Sequence, residues 1–104
     1  MVAHLAHPTE KLWGILLELD LTGMVLRGIS VTTFDEWMFQ AARRDEPMTL
    51  GLSTMFVPLA RVERIFLDEQ VGEVQSYRQR FAREAGVTVE SFLGLEEDDG
   101  EVPS

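Results

Sequence analysis

The sequence predicts an α+β fold, in which a small, strongly bent antiparallel sheet or barrel is followed by a C-terminal helix. Three observations lead to this prediction. Residues 12–32 show the two-residue period of a strand hairpin, residues 33–44 show the period of a helix, and residues 48–67 return to strand-like segments around a proline. The predicted order is β-β-α-β-β-α, with a further short helix near the end.

The first hairpin joins two segments with apolar residues on alternate positions. In residues 12–20, one predicted strand face carries Trp13, Ile15, Leu17 and Leu19. Residues 20–23 fit a type I turn that starts at Asp20 and leaves through Gly23 in a left-handed conformation. Residues 24–32 are rich in β-branched side chains, which favours a second strand.

The segment that follows has helical spacing. Its apolar residues fall on one helical stripe, formed by Phe34, Trp37, Met38 and Ala41. Thr33 and Glu36 fit a capping box at the start of the helix, and Arg43 and Arg44 suit its negative end. A third strand over the same residues is the alternative, because aromatic side chains are also common in strands.

Residues 48–57 and 61–67 are predicted to form a second hairpin around Pro58, at a position where no ladder donor is needed. Residues 73–85 then show a narrow apolar helical stripe, and Gly86 suits the end of that helix. A further short helix is predicted after it, with Thr88 as its cap.

The predicted organisation has four parts. Residues 1–10 form a flexible leader without a period, and residues 11–70 form the barrel-like domain, with its short helix near 34–44. Residues 71–94 form the C-terminal helical segment. Residues 95–104 carry five acidic residues and no basic one, which predicts an acidic, disordered tail.

Charge and cysteine content narrow the function classes. The net charge is −9, and removing the five acidic residues of 95–104 leaves −4 for residues 1–94. An acidic field repels phosphates, so nucleic acids and anionic membranes are disfavoured partners. The absence of cysteine excludes disulfides, thiolate metal sites and cysteine nucleophiles. No signal-peptide pattern or apolar run of about 20 residues is present, so no membrane contact is predicted and the cytoplasm is the predicted compartment.

No pattern in the chain predicts catalysis, a metal site or a cofactor. His4 and His7 are three residues apart, but a structural metal site needs about four ligands and no others lie nearby. Four carboxylates near predicted element ends are explained by turns and caps: Asp20, Asp35, Asp45 and Asp68. The glycines form no phosphate-binding motif. We therefore expect a non-enzymatic protein without a cofactor.

Large apolar side chains are frequent for so small a barrel. Residues 54–57 have apolar groups on both predicted faces, which fits either a strand buried on two sides or a patch covered by a second copy. We predict self-association into a homo-oligomer, with a different protein partner as the alternative. The predicted contact residues are Trp37, Met55, Phe56, Val57 and Tyr77.

Residues 17–29 combine a strand–turn–strand pattern with a glycine, Gly28, in the second strand. Phe34-Asp35 with Met38, and the stretch 56–65, follow in the same order as two motifs of a known family. On these residues, the segment 12–67 resembles the Sm-like (LSm) small-barrel domains. The resemblance implies a small barrel and ring-like self-assembly.

The chain departs from that family where RNA would bind. Phe39 stands at the position of a loop asparagine, and residues 62–64 (Val-Glu-Arg) replace a small-residue or Arg-Gly step. RNA binding is therefore an alternative function only, and its candidate phosphate contacts are Arg43, Arg44, Arg61 and Arg64. An enzyme site shared between subunits is the third alternative. Two phrases, at 34–37 and 61–65, also resemble an uncharacterised bacterial family of small proteins, which implies no function.

Overall fold

A computed structural model describes residues 1–94 and shows an antiparallel sheet of five strands with helices packed against it. The strands are β1 (Val2–Leu5), β2 (Glu10–Leu19), β3 (Gly23–Ser30), β4 (Ser53–Pro58) and β5 (Val62–Phe66). The helices are α1 (Val31–Ala42), α2 (Tyr77–Ala85) and α3 (Val89–Leu93). The strand order across the sheet is β4-β3-β2-β1-β5, which confirms the predicted α+β class. The predicted acidic tail, 95–104, lies outside the described residues.

The sheet is strongly bent, as predicted. One apolar cluster lies on the inner face of the sheet and is called the inner cluster here. Both edge strands contribute to it, β4 with Met55 and Val57 and β5 with Val62 and Ile65. No described helical residue belongs to this cluster, yet its members Ala3, Met24 and Leu26 are fully buried, which requires the sheet to curl so that its own strands cover its inner face. Within residues 1–94, β4 and β5 are not hydrogen-bonded to each other, so the curled sheet is open rather than closed.

A second apolar cluster, the outer cluster, lies between the outer face of the sheet and the helices. Trp13 of β2 packs edge-on against Phe34 of α1, with 5.3 Å between ring centroids. Trp37 of α1 packs against Phe81 of α2 at 4.9 Å. All four aromatic side chains are at most 1% exposed. The helical stripe predicted for residues 34–41 is thus confirmed, and the alternative of a third strand there is wrong.

The first ten residues are not a leader, which corrects the prediction for residues 1–10. Residues 2–5 form β1, which lies between β2 and β5 and pairs with both. Ala3 and Leu5 point into the inner cluster and are fully buried. A strand of four residues is too short for its period to be recognised in a sequence, and only its two neighbours define it.

The predicted second hairpin is also wrong. β4 pairs with β3 and β5 pairs with β1, so the two strands lie at opposite edges of the sheet. A 3-10 turn, Leu59–Arg61, carries the chain across. The backbone N–H of Leu59 donates to the Thr22 carbonyl at 3.1 Å, and the Arg61 guanidinium donates to the carbonyls of Ala6 and Pro8 at 3.1 and 2.8 Å. These contacts fix the crossing, and none of them can be read from local spacing.

The helix ends agree with the predictions in part. Ser30, not Thr33, caps α1, and its hydroxyl accepts from the backbone N–H of Thr32. The helix predicted from residue 73 begins at Tyr77, after Ser76, which forms a capping box with Gln79. Gly86 is left-handed with φ 81°, and Thr88 caps α3, as predicted.

The β2–β3 turn is held by Asp20. Its Oδ1 accepts hydrogen bonds from the N–H of Thr22 at 2.9 Å and from the Thr22 hydroxyl at 2.7 Å. Gly23 is not left-handed, contrary to the prediction. Among the described glycines, positive φ angles occur at Gly72, Gly86 and Gly94. Glycine is needed at position 23 for space, since a Cβ there would lie 2.3 Å from the Val57 carbonyl oxygen.

Candidate interaction surface

β4 and β5 are the two edge strands of the sheet, and within residues 1–94 the unpaired edge of β4 is the one without a charged side chain. β4 contains six residues, Ser53–Pro58, none of them ionisable, and it pairs with β3 alone. β5, at the other edge, carries exposed Glu63 and Arg64. Proteins commonly protect an edge strand with charged residues, and only β5 has them.

The ladder alternation shows which β4 residues face the open edge. The backbone groups of Gly14 in β2 point towards β1, because Gly14 exchanges two hydrogen bonds with Met1, at 2.9 and 2.7 Å. In an antiparallel sheet the backbone groups of successive residues point alternately to the two neighbouring strands. Following this alternation through the register of β2, β3 and β4 directs the N–H and C=O of Met55 towards β3. Thr54 and Phe56 consequently direct their N–H and C=O groups outwards. Pro58 also falls on the outward side, where its missing N–H costs no ladder bond.

Phe56 is the large apolar side chain on this edge. It is 55% exposed, and its ring lies over Gly23, where a Cβ would come within 2.7 Å of the ring carbon Cζ. Leu21 and Leu59 are exposed at the same end of the sheet, in the β2–β3 turn and in the 3-10 turn. An apolar group of this kind beside an unpaired edge is typical of a contact with another chain.

The predicted self-association residues do not form one surface. Trp37 and Val57 are only 1% and 4% exposed, in the outer and the inner cluster respectively. Met55 packs against the inner cluster from its rim. Tyr77 packs edge-on against Phe34 of α1 at 4.9 Å, beside the cluster that lies between the sheet and the helices. Of the five predicted residues, Phe56 is the exposed one.

The four predicted arginines are also not brought into one site. Arg43 and Arg44 line a groove of about 340 Å³ together with Ser91 and Phe92, and the groove's lining includes neither Arg61 nor Arg64. The Arg44 guanidinium donates to the carbonyl of Ala85, at the C-terminal end of α2, at 3.0 Å. Arg44 thus stabilises a helix end, where a cation is favoured.

The other arginine pair is engaged in contacts within the chain. Besides its bonds to two carbonyls, Arg61 forms an ion pair with Glu10 at 2.9 Å. Arg64 lies over the ring of Phe66, 6.0 Å from its centroid. A phosphate would therefore have to displace existing contacts at Arg61.

The predicted acidic positions serve the fold. Asp68 accepts hydrogen bonds from Trp13 Nε1 at 2.9 Å, from the N–H of Tyr77 at 2.8 Å and from the N–H of Arg78 at 3.0 Å. It therefore joins the outer cluster to the first turn of α2. Asp68 lies two residues after the end of β5, a position that could have indicated a cap on a distant helix, whereas the sequence prediction gave it only a local role in a turn or a cap.

Asp35, Asp20 and His4 also make contacts within the chain. Asp35 pairs with Arg80 of α2. Hydrogen bonds from the Thr22 hydroxyl, the Thr22 N–H and the Gly23 N–H lower the pKa of Asp20. His4 packs edge-on against Phe66 at 4.8 Å. Residues 1–94 contain no group of three or more metal-ligating side chains placed to hold an ion.

Tyr77 is the other described side chain with a clear shift. Burial raises the pKa of its phenol, with a smaller opposing effect from the Arg80 cation. The ring packs edge-on against Phe34, and the Arg80 guanidinium lies 5.5 Å from its centroid. The shift therefore marks packing of α2 on α1.

No family model matches the chain, and no curated protein and no solved structure matches it. Within residues 1–94, none of the helices has the length and apolar content required to cross a bilayer.

Proposed function

We propose that this protein is a non-enzymatic binding or scaffold module that self-associates, and that the outer edge of β4 forms the contact. The observation that carries the proposal is an uncharged, unpaired edge strand with an exposed Phe56 on it. The fold presents this edge on a rigid sheet, because β3 holds β4 along its whole length.

The backbone supplies one part of the contact. The outward N–H and C=O groups of Thr54 and Phe56 can pair with an extended strand of another chain, as in strand addition to other sheet edges. Such main-chain bonds provide affinity with little dependence on side chains, so a scaffold can form without a specialised pocket.

Side chains supply the other part. Phe56, Leu21 and Leu59 leave apolar surface in water at one end of the edge. Covering a half-exposed aromatic side chain contributes about 1 to 2 kcal/mol from apolar burial alone. The main-chain hydrogen bonds of β4 and the burial of Phe56 would therefore both stabilise the same contact.

The test is the molar mass in solution, measured by size exclusion with light scattering. We expect the native chain to exceed the monomer mass and Phe56→Glu to shift it to the monomer, because the new carboxylate would be desolvated at the contact. Leu67→Glu is the matched control, since Leu67 is 76% exposed and lies beyond β5. Circular dichroism confirms that each variant is folded.

A native mass equal to one chain would refute the proposal, and so would a Phe56→Glu variant that keeps the native mass. RNA binding through the arginines remains the alternative prediction, and it requires binding that weakens steeply with salt. An enzyme site shared between subunits is the third, and it requires clustered carboxylates with perturbed pKa values at the contact.

A further inference from the structure

We propose that the partner of the β4 edge is the β4 strand of a second copy, paired antiparallel about a two-fold axis at Met55. This inference rests on the proposed self-association and adds the partner strand, its direction and its register. The result is a two-fold dimer with a continuous sheet of ten strands, and not the ring that a head-to-tail contact would build.

The charge pattern favours a β4–β4 contact. A two-fold contact brings the residues near its axis close to their own copies, so a charged residue there would meet a like charge. β4 has no charged residue from Ser53 to Pro58, and it meets this condition along its whole length. β5 carries Glu63 and Arg64 at exposed positions, which protect its edge from an incoming strand.

The outward backbone groups define the register. Thr54 and Phe56 are the residues of β4 that face the edge and still carry an N–H, because the outward Pro58 has none. In an antiparallel register that places Thr54 opposite Phe56 of the second copy, the N–H and C=O groups of all four residues, two from each chain, form hydrogen bonds across the contact. A register that places Phe56 opposite Phe56 would place Thr54 opposite Pro58 and would lose a donor.

The side chains agree with this register. Thr54 and Phe56 lie on the outer face of the sheet, since Phe56 pairs with Val25 and Thr54 with Arg27 of β3. Each Phe56 ring would then lie across from a Thr54 of the other copy, a small neighbour that leaves space for an aromatic side chain. Met55 lies on the inner face at the axis, opposite its own copy.

Disulfide trapping tests the register directly, because the chain contains no cysteine. In an antiparallel pair without mutual hydrogen bonds the Cα atoms are about 4.5 Å apart, within reach of a disulfide. We expect Met55→Cys to form a disulfide-linked dimer under mild oxidation, as the dominant band on a non-reducing gel. Ser53→Cys is the matched control on the same strand and face. Its two copies would be about 13 Å apart along the strands, beyond disulfide reach.

Each outcome is decisive for the inference. A dimer from Met55→Cys with none from Ser53→Cys supports the two-fold register. Equal cross-linking of both variants, or none from Met55→Cys, overturns it. The native molar mass separates the two proposals: a mass above one chain without Met55→Cys cross-linking leaves self-association intact and refutes the β4–β4 pairing. The mass of each reduced variant, measured beside the native chain, establishes that the substitution itself has not dissociated the assembly.

Discussion

Asp68→Ala removes the acceptor that joins the outer cluster to α2, and we expect a large loss of stability. The Trp13 indole is 1% exposed, and its N–H donates to Asp68. A buried donor left without a partner costs about 1 to 3 kcal/mol. Loss of the cap on the first N–H groups of α2 costs about 1 kcal/mol more. The expected decrease in the free energy of unfolding is therefore about 2 to 4 kcal/mol.

Urea denaturation followed by circular dichroism measures this decrease. Trp13→Phe provides the background that isolates the indole bond, because it removes the donor and keeps an aromatic ring. In that background, Asp68→Ala should cost only the cap, about 1 kcal/mol. Equal losses in the two backgrounds would show that the indole bond contributes nothing, and the reasoning about Asp68 would then be wrong.

Two further expectations concern the β2–β3 turn. Gly23→Ala should destabilise the fold by about 1 to 3 kcal/mol in urea denaturation, because its Cβ would collide with the Val57 carbonyl. Gly51→Ala, where a Cβ meets no atom within 4 Å, should be neutral or slightly stabilising, and equal losses at both glycines would contradict the steric account. Since the folded pKa of Asp20 lies below its ordinary value of 3.8, its stabilising effect is present above that pH and disappears as the pH falls through the folded pKa. Asp20→Asn should therefore lower stability at neutral pH and approach the native chain in acid, and a difference that stayed constant down to acid unfolding would refute this explanation.

The parts of the fold with a regular period could be predicted from the sequence. The alternation through residues 12–32 identified β2 and β3, and the stripe from Phe34 to Ala41 identified α1. Gly86 and Thr88 marked helix ends correctly, because left-handed glycines and threonine caps act through bonds to residues close in sequence. Local chemistry was sufficient for each of these elements.

The parts that depend on distant contacts could not be predicted. β1 is a strand because β2 and β5 flank it, and β4 and β5 separate because Arg61 binds carbonyls more than 50 residues away in the sequence. The start of α2 moved to Tyr77 because the Ser76 capping box and Asp68 satisfy its first N–H groups. None of these partners is visible in a short window of sequence.

The sequence predicted only part of the candidate contact on β4, because burial and exposure also depend on distant parts of the chain. The sequence identifies Trp37, Val57 and Phe56 as large apolar residues, but it does not reveal which of them the helices and the curled sheet cover. Phe56 stays exposed because β4 is an edge strand, a consequence of the crossing at the 3-10 turn. The unpaired edge itself is a property of the pairing order, so it could be recognised only in the structure.

Amide hydrogen exchange at β4 tests most directly whether another chain covers this edge. Met55 and Val57 donate towards β3 and serve as internal controls, since their N–H groups should be protected at every protein concentration. We expect the N–H groups of Thr54 and Phe56 to be protected when the protein is concentrated and to exchange rapidly on dilution to the monomer. Rapid exchange at Thr54 and Phe56, at a concentration where light scattering shows more than one chain, would contradict the account.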